Sequence, residues 1–589
     1  MQKFSGKPCK FFSKMYLIPG YTEMKMKNFF LRILPVILVL AVVAGVLFWR
    51  QEKPEFRRTF PVMGTVAQIT LYAPDKEANA AYDAIRAEFD KVLKIANLYN
   101  PESELSRLNK TAFDKPFVCS KELWQILSAS REAYRITGGA FDISAKPLMM
   151  LWGFYRKNHP GKIPTALERF EAMKKTGLNN VIFDDAARSV RFTVPGMALD
   201  LGGLAKGYAV DRAAEAMKKA GIASGVIDLG GNLFLGEPPQ GKDFFSIGIK
   251  DAGNKGKLGN TVLKLKNCAV STSGDYERFV VIDGRKYGHI MDPATGLPCH
   301  QEFSATVTAP TALQADYLST AFYLRPQLNT GLRDIQVVFQ SSSNKGVKMD
   351  MEKLDVNKIK RGIVCFTFDD GRYQEWLANM ELFKRCNAKA TFFYSGEITR
   401  EAAISMQILR SEGHSVGLHT VNHKNAVNDG VDADMEEYFK SQVLPQLEAA
   451  ARYGVKDLRY FAYPNNRHSA GTDQFLGKYF ARFRVGSKIG KPAGFRIADE
   501  DKAYIAPDKI SGRKALGGCG IGEYYKSTEK NLDAALTRAA ERNELIVFFS
   551  HGIFPDADGV HMPTALLEHL LKKCAELQLT VAGFDELPE

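Results

Sequence analysis

Ile363-Val-Cys-Phe-Thr-Phe-Asp369-Asp370-Gly371 is a short apolar, β-branched and aromatic run closed by two carboxylates and a glycine. That composition predicts a strand, and the acid pair stands where a barrel of strands and helices places its catalytic groups. Taken alone, the pair also fits a capped turn. Outward from it, strand-like residues 390–394 and 545–549 alternate with helical segments at 373–386 and 564–577. This alternation predicts an α/β unit, a parallel sheet or (β/α)-barrel, over residues 361–589.

Two further segments of the same unit carry ligand chemistry. His419-Thr-Val-Asn-His423 follows the strand-like Val416-Gly-Leu418, and imidazoles four residues apart can face one metal while a carboxylate completes the set. Ile546-Val-Phe-Phe-Ser550-His551-Gly552 puts another histidine at a strand end. In this order the segments resemble the NodB-homology polysaccharide deacetylases of carbohydrate esterase family four, over about residues 361–589. The resemblance implies Zn2+ or another divalent metal on Asp370, His419 and His423, and an N-acetylated polysaccharide as substrate. It implies Asp369 as general base for the attacking water and His551 as general acid for the leaving amine. One motif departs from the pattern. Many members carry an Arg-Pro-Pro-Tyr-like segment whose arginine contacts the base, whereas this chain reads Phe461-Ala-Tyr-Pro-Asn-Asn466. That segment is similar to the Phe-Ala-Tyr-Pro-Tyr-Gly version of poly-N-acetylglucosamine deacetylases, but ends in Asn-Asn. The Asp/Trp motif that lines the acetyl pocket is not found either. A catalytically silent carbohydrate-binding module is therefore the alternative to a working deacetylase.

Residues 56–335 read differently. Val66-Ala-Gln-Ile-Thr-Leu71 is strand-like and residues 80–98 are helix-like, which predicts an α+β domain. Met63-Gly-Thr65 precedes that strand, and Gly139-Ala-Phe-Asp142 follows a helical stretch. Leu199-Asp200-Leu-Gly-Gly203-Leu-Ala205-Lys206-Gly-Tyr208 has glycines that let backbone approach a phosphate beside a lysine that neutralises it, at a helix start. Asp228-Leu-Gly-Gly231-Asn232 is a second glycine turn; plain tight turns are the structural alternative for both. Ser271-Thr-Ser273-Gly-Asp275-Tyr276, His289-Ile-Met-Asp-Pro-Ala-Thr-Gly296 and Ala315-Asp316-Tyr-Leu-Ser-Thr320 complete the series. In this order and spacing the segments resemble the ApbE family, the FAD:protein FMN transferases.

The resemblance implies cleavage of the FAD pyrophosphate and transfer of FMN to a threonine of an acceptor protein, with FAD as substrate. Mg2+ would take oxygen ligands from Asp316, Thr320 and a backbone carbonyl near Ala205. His289 would be the base for the threonine hydroxyl, a structural turn histidine being the alternative. Met63, Asp200, Gly203, Lys206, Gly231, Ser273, Asp275 and Tyr276 would line the flavin nucleotide, with positioning of the metal the alternative role for Asp275 and Tyr276. The family's acceptor sequence does not occur in this chain, so the acceptor is expected to be another protein.

At the N-terminus, Lys25 and Lys27 precede an apolar stretch at residues 29–49, broken by Arg32. Its length and the preceding positive charge predict a single transmembrane anchor, with residues 1–28 cytoplasmic and both domains facing the periplasm or exterior from the inner membrane. A cleaved secretory signal is the alternative. Residues 336–360, containing Gln340-Ser-Ser-Ser-Asn-Lys-Gly346, read as the linker of this multidomain chain. The 79 Lys and Arg against 66 Asp and Glu give a net charge of +13, which suits an anionic surface or merely a solvated basic one. With no zinc-finger spacing and no long basic block, no nucleic-acid partner is expected. The eight cysteines include no CxxC pair.

Overall fold

The computed structural model describes residues 53–155, 162–250, 258–274, 279–341, 353–355, 358–487 and 496–588. Among these residues no helix is long and apolar enough to cross a membrane. This corrects the expected N-terminal transmembrane helix: residues 29–49 lie outside the described residues, and no described helix takes that part.

The first unit is built on one antiparallel sheet whose seven strands lie in chain order. They are β1 (Glu55–Val62), β2 (Thr65–Tyr72), β3 (Gly225–Leu229), β4 (Asn232–Leu235), β5 (Cys268–Ser273), β6 (Phe303–Ala309) and β7 (Gln336–Ser341). Along β2, Ala67, Ile69 and Leu71 are buried while Val66 and Gln68 face outward, the two-residue period of a sheet covered on one face. Helices α1 (Asp75–Ala96), α2 (Ala166–Met173), α3 (Ala205–Lys219) and α4 (Ala312–Leu324) belong to this unit. In α1 the buried Ala78, Ala81, Ile85, Phe89 and Val92 recur every three or four residues, with Asp75 and Glu77 at its start and Lys94 at its end. It packs on α3, α3 packs on α4, and α4 lies on β5 and β6.

The second unit is a closed barrel of seven parallel strands: β8 (Ile363–Phe368), β9 (Ala390–Tyr394), β10 (Ser415–Leu418), β11 (Tyr460–Ala462), β12 (Arg482–Gly486), β13 (Ala515–Gly520) and β14 (Leu545–Ser550). Closure comes from β14 pairing back onto β8, from Ile363↔Leu545 to Phe368↔Ser550. Ile363 and Cys365 cluster with Tyr460, Ala462, Leu516 and Val547 from other strands, whereas Val364, Phe366 and Phe368 pack outward with Trp376 and Phe383. The helix α5 (Arg400–Ser411) lies between β9 and β10 in sequence and packs against α2 of the first unit.

Candidate active sites

The polar residues of the barrel converge at the C-terminal end of β8. Asp369 is 2% exposed. Asp370 takes a left-handed backbone (φ 75), as do Thr420 (φ 67) and His423 (φ 51). Such conformations in non-glycine residues cost roughly 1–3 kcal/mol each and persist only where surrounding packing holds them. Here they accompany convergence: Asp370 Oδ1 lies 3.7 Å from His419 Nε2 and 3.9 Å from His423 Nε2, and Oδ2 lies 3.6 Å from His551 Nε2. One ligand atom from each of Asp370, His419 and His423 falls within 4.8 Å of the others.

The histidines are oriented from behind. His419 Nδ1 lies 2.8 Å from the Ala462 carbonyl, which assigns the proton to Nδ1 and leaves the Nε2 lone pair facing Asp370. Burial, with the Arg484 guanidinium nearby, pulls this imidazole down to about 3, so it is neutral at physiological pH. His551 Nδ1 lies 3.1 Å from the Val560 carbonyl. Two imidazoles and a carboxylate so arranged fit a divalent ion such as Zn2+ with open positions.

Asp369 is held on one side only. Its Oδ2 accepts from Arg484 Nη2, while its Oδ1 is buried without a hydrogen-bond partner among the described residues. An unpaired buried carboxylate oxygen is costly and marks a place for a further polar group. Arg484, 1% exposed, comes from β12 and also donates to Asn466 Oδ1, and its guanidinium lies over the Phe549 ring.

In the first unit, two hairpin tips meet at one end of the sheet. Met63 (φ 51) and Gly64 (φ 74) form the two-residue turn between β1 and β2, and Gly230 (φ 58) and Gly231 (φ 89) that between β3 and β4. Both have the positive φ pairs of primed hairpin turns. Gly230 N donates to the Val66 carbonyl at 3.2 Å, and Gly231 N to Asp228 Oδ1 at 2.8 Å.

The metal-ligand candidates lie beside these tips. Asp316, 4% exposed on α4, accepts from Gly207 N in the first turn of α3 at 2.9 Å. Helix N-termini favour carboxylates. Lys206 Nζ lies 3.6 Å from Asp316 Oδ1. The Asn232 amide, oriented to satisfy both its ends, donates to Asp316 Oδ1 at 3.0 Å and to Ser271 Oγ at 2.7 Å, and accepts from Lys206 Nζ at 2.7 Å. Ser273 Oγ bonds Ser319 Oγ (2.8 Å) and Thr320 Oγ1 (3.1 Å), one turn along α4 from Asp316. Ala205 is the first residue of α3. A buried carboxylate, hydroxyls and helix-start backbone make an all-oxygen set suited to Mg2+.

The ApbE family model matches residues 63–334. A relative, the FAD:protein FMN transferase of Treponema pallidum, is 30% identical over 290 residues, covering 47% of this chain and 80% of that protein. The chain belongs to the ApbE family. The Haemophilus influenzae FAD:protein FMN transferase is 28% identical over 298 residues, covering 49% of this chain and 86% of its own. The polysaccharide deacetylase family model matches residues 357–480. The chain thus joins an ApbE-family domain to a polysaccharide deacetylase domain behind it.

Within the ApbE unit, Asp316, Lys206, Ser273 and Thr320 fall into one bonded group next to Gly231. Asp200 does not join it through its carboxylate, which accepts from Gly202 N and from the Tyr155 hydroxyl. Gly203 abuts Phe141, whose ring a Cβ would meet at 2.9 Å. His289 is half-buried between the strands at Arg285–Gly288 and Met291–Asp292. Asp275 and Tyr276 lie outside the described residues. Sequence reasoning missed Asn232, although it closes a glycine turn already singled out. It also missed Arg484, whose signal was a pair of arginines, Arg482 and Arg484, inside an otherwise apolar strand.

Proposed function

We propose that the ApbE unit transfers FMN from FAD to a threonine hydroxyl of another protein, and that the barrel deacetylates an N-acetylated polysaccharide. The observation that carries the first reading is the buried Asp316 carboxylate, fixed by Gly207 N–H, Asn232 and Lys206 beside Thr320. Asp316, Thr320 and the Ala205 carbonyl would hold Mg2+, which supplies positive charge to the pyrophosphate as it breaks. Lys206 neutralises phosphate charge, and the His289 imidazole takes the threonine proton as its oxygen attacks the FMN phosphorus and AMP leaves. Given FAD, Mg2+ and a peptide bearing the family's acceptor sequence, the full chain should gain a flavinylated threonine product by mass spectrometry. EDTA should abolish it. Equal transfer by Asp316→Ala would sink the metal assignment.

In the barrel, the telling observation is Asp369, locked through Oδ2 and, among the described residues, without a hydrogen-bond partner at Oδ1. Oδ1 accepts the proton of the attacking water, and His551 protonates the departing amine. A divalent ion on Asp370, His419 and His423 supplies Lewis acidity to the acetyl carbonyl. No observation favours a silent carbohydrate-binding module, since Asp369, Asp370, His419, His423 and His551 are all present. Acetate release from N-acetylglucosamine oligomers tests the reading: Asp369→Asn should keep the metal and lose most turnover. A metal-loaded wild type that releases no acetate from chito-oligomers, poly-N-acetylglucosamine or acetylated xylan overturns it. We place both reactions outside the cytoplasm, a reading that rests on the basic-then-apolar sequence over residues 25–49.

A further inference from the structure

The His289–Gly296 segment is held from outside as well as by its own turn and hairpin bonds. After Asp292 it makes a tight turn in which Thr295 N and Gly296 N donate to the Asp292 carbonyl, and three side chains from elsewhere hold that turn in place. Arg325 Nη2 donates to Asp292 Oδ1 at 2.7 Å, Trp152 Nε1 to the Gly296 carbonyl at 2.9 Å, and Arg169 Nη1 to the Thr295 carbonyl at 2.9 Å. Arg325 and Trp152 belong wholly to the ApbE unit. Arg169 does not act alone.

Arg169 lies on α2 and is 1% exposed. The same guanidinium donates to Ser411 Oγ at 3.3 Å and, through Nη2, to Glu412 Oε1. Ser411 and Glu412 are at the end of α5 in the barrel. A buried guanidinium needs a carboxylate partner to be tolerated, and here the other domain provides it. The junction is fixed from a second point: Arg400, at the start of α5, donates to the Met173 and Lys174 carbonyls at 3.1 Å, capping the C-terminus of α2. Phe170 of α2 meets Tyr373 with ring centroids 5.8 Å apart, and Phe170 and Met173 share one apolar cluster with Phe368 and Trp376 of the barrel.

The geometry points to the barrel as a working part of the flavin transferase. Arg169, anchored by Glu412 and Ser411, is a positioning residue for the segment that carries His289, and flavin transfer depends on that anchor. This rests on the reading of His289 as the base. The contact is made to the backbone of the turn and not to the nucleotide pocket, so its loss should misplace the base without weakening FAD binding. Displacements on the scale of 1 Å at a reacting group cost on the order of a hundredfold in rate.

The test uses the full-length protein with FAD, Mg2+ and acceptor peptide. Glu412→Ala, a change in the other domain, should lower kcat for flavin transfer roughly tenfold to a hundredfold with KM for FAD unchanged. Glu412→Gln, which keeps an acceptor for Arg169, should recover most of that loss. Metal content of the barrel should not move in either. Arg169→Met should match Glu412→Ala; should it fail to fold, the Glu412 pair still decides the question. A folded Glu412→Ala whose kcat stays within about twofold of wild type overturns the proposal, as does a loss that appears only in KM. A wild type without transfer, or a His289→Asn variant that transfers normally, instead defeats the reading of the ApbE site.

Discussion

Gly207 offers a sharp test of the flavin-transferase site, because the sequence and the structure give it different work. The sequence places it in a glycine-rich stretch suited to phosphate approach. In the structure a Cβ at this position would lie 2.4 Å from the Ala312 carbonyl oxygen and 2.8 Å from Asp316 Cβ. Carbon atoms rest at about 3.5–4.0 Å, so in Gly207→Ala the start of α3 must withdraw from α4 by roughly 1 Å. Overpacking of that kind costs about 1–3 kcal/mol. The same withdrawal stretches the Gly207 N–H bond to the Asp316 carboxylate, now 2.9 Å, and loosens the geometry around the proposed Mg2+ ligand. We therefore expect the ApbE unit to lose about 2 kcal/mol of stability and the Mg2+ concentration for half-maximal transfer to rise about tenfold, tenfold corresponding to about 1.4 kcal/mol. Flavin transfer titrated with Mg2+ at saturating FAD, together with urea unfolding, measures both. A variant with unchanged Mg2+ dependence and a raised KM for FAD would show that Gly207 serves the phosphate and not the helix contact.

Arg484→Met leaves Asp369 buried without its cation, and breaking such a pair costs about 3–5 kcal/mol. The barrel's urea midpoint should fall and acetate release should be lost with metal content retained; full turnover would remove Arg484 from the site. His414 is buried, and with Lys389 nearby its pKa is depressed from 6.5 to about 3, while its Nδ1 accepts from Ala390 N at 3.1 Å. Since the folded value lies below the unfolded one, its stabilising effect is complete above pH 6.5 and is lost as pH falls toward 3, amounting to about 3 kcal/mol by pH 4. His414→Asn keeps an acceptor but cannot titrate, so its stability should fall less steeply between those limits; parallel wild-type and variant curves would contradict this.

The elements of the fold were legible where local pattern is strong. Ile363–Phe368 is a short run buried at every position, and α1 shows its three-to-four-residue period plainly. Long-range pairing was not legible. Nothing in the sequence near Gly225 says that β3 will lie against β2, or that β14 will return to β8 and close the ring. The buried face of α2 was likewise illegible, because Phe170 and Met173 look like ordinary core residues of their own domain and are in fact covered by the other one.

The sites divide along the same line. Asp369-Asp370-Gly371 and His419 to His423 were recognisable because each pair of candidate groups keeps a short fixed spacing along the chain. The partner of Asp369 obeys no such spacing. A buried carboxylate needs a cation within hydrogen-bond reach, but any strand whose residues face the barrel mouth can provide one. A reading along the chain therefore registers that Phe461-Ala-Tyr-Pro-Asn-Asn466 lacks an arginine and passes over the one that arrives on the next strand. Alternation along β12 contained the clue: Arg482 and Arg484 are two residues apart, so they share a face, and both are buried. Two buried guanidiniums on one strand face require acceptors across the barrel. Arg482 finds the carbonyls of Phe584, Leu587 and Pro588, and Arg484 finds Asp369 and Asn466. The Asn-Asn ending is thus part of the substitution, since Asn466 braces the arginine that its own segment lacks, and Asp369, the proposed base, keeps a cationic partner despite the altered motif.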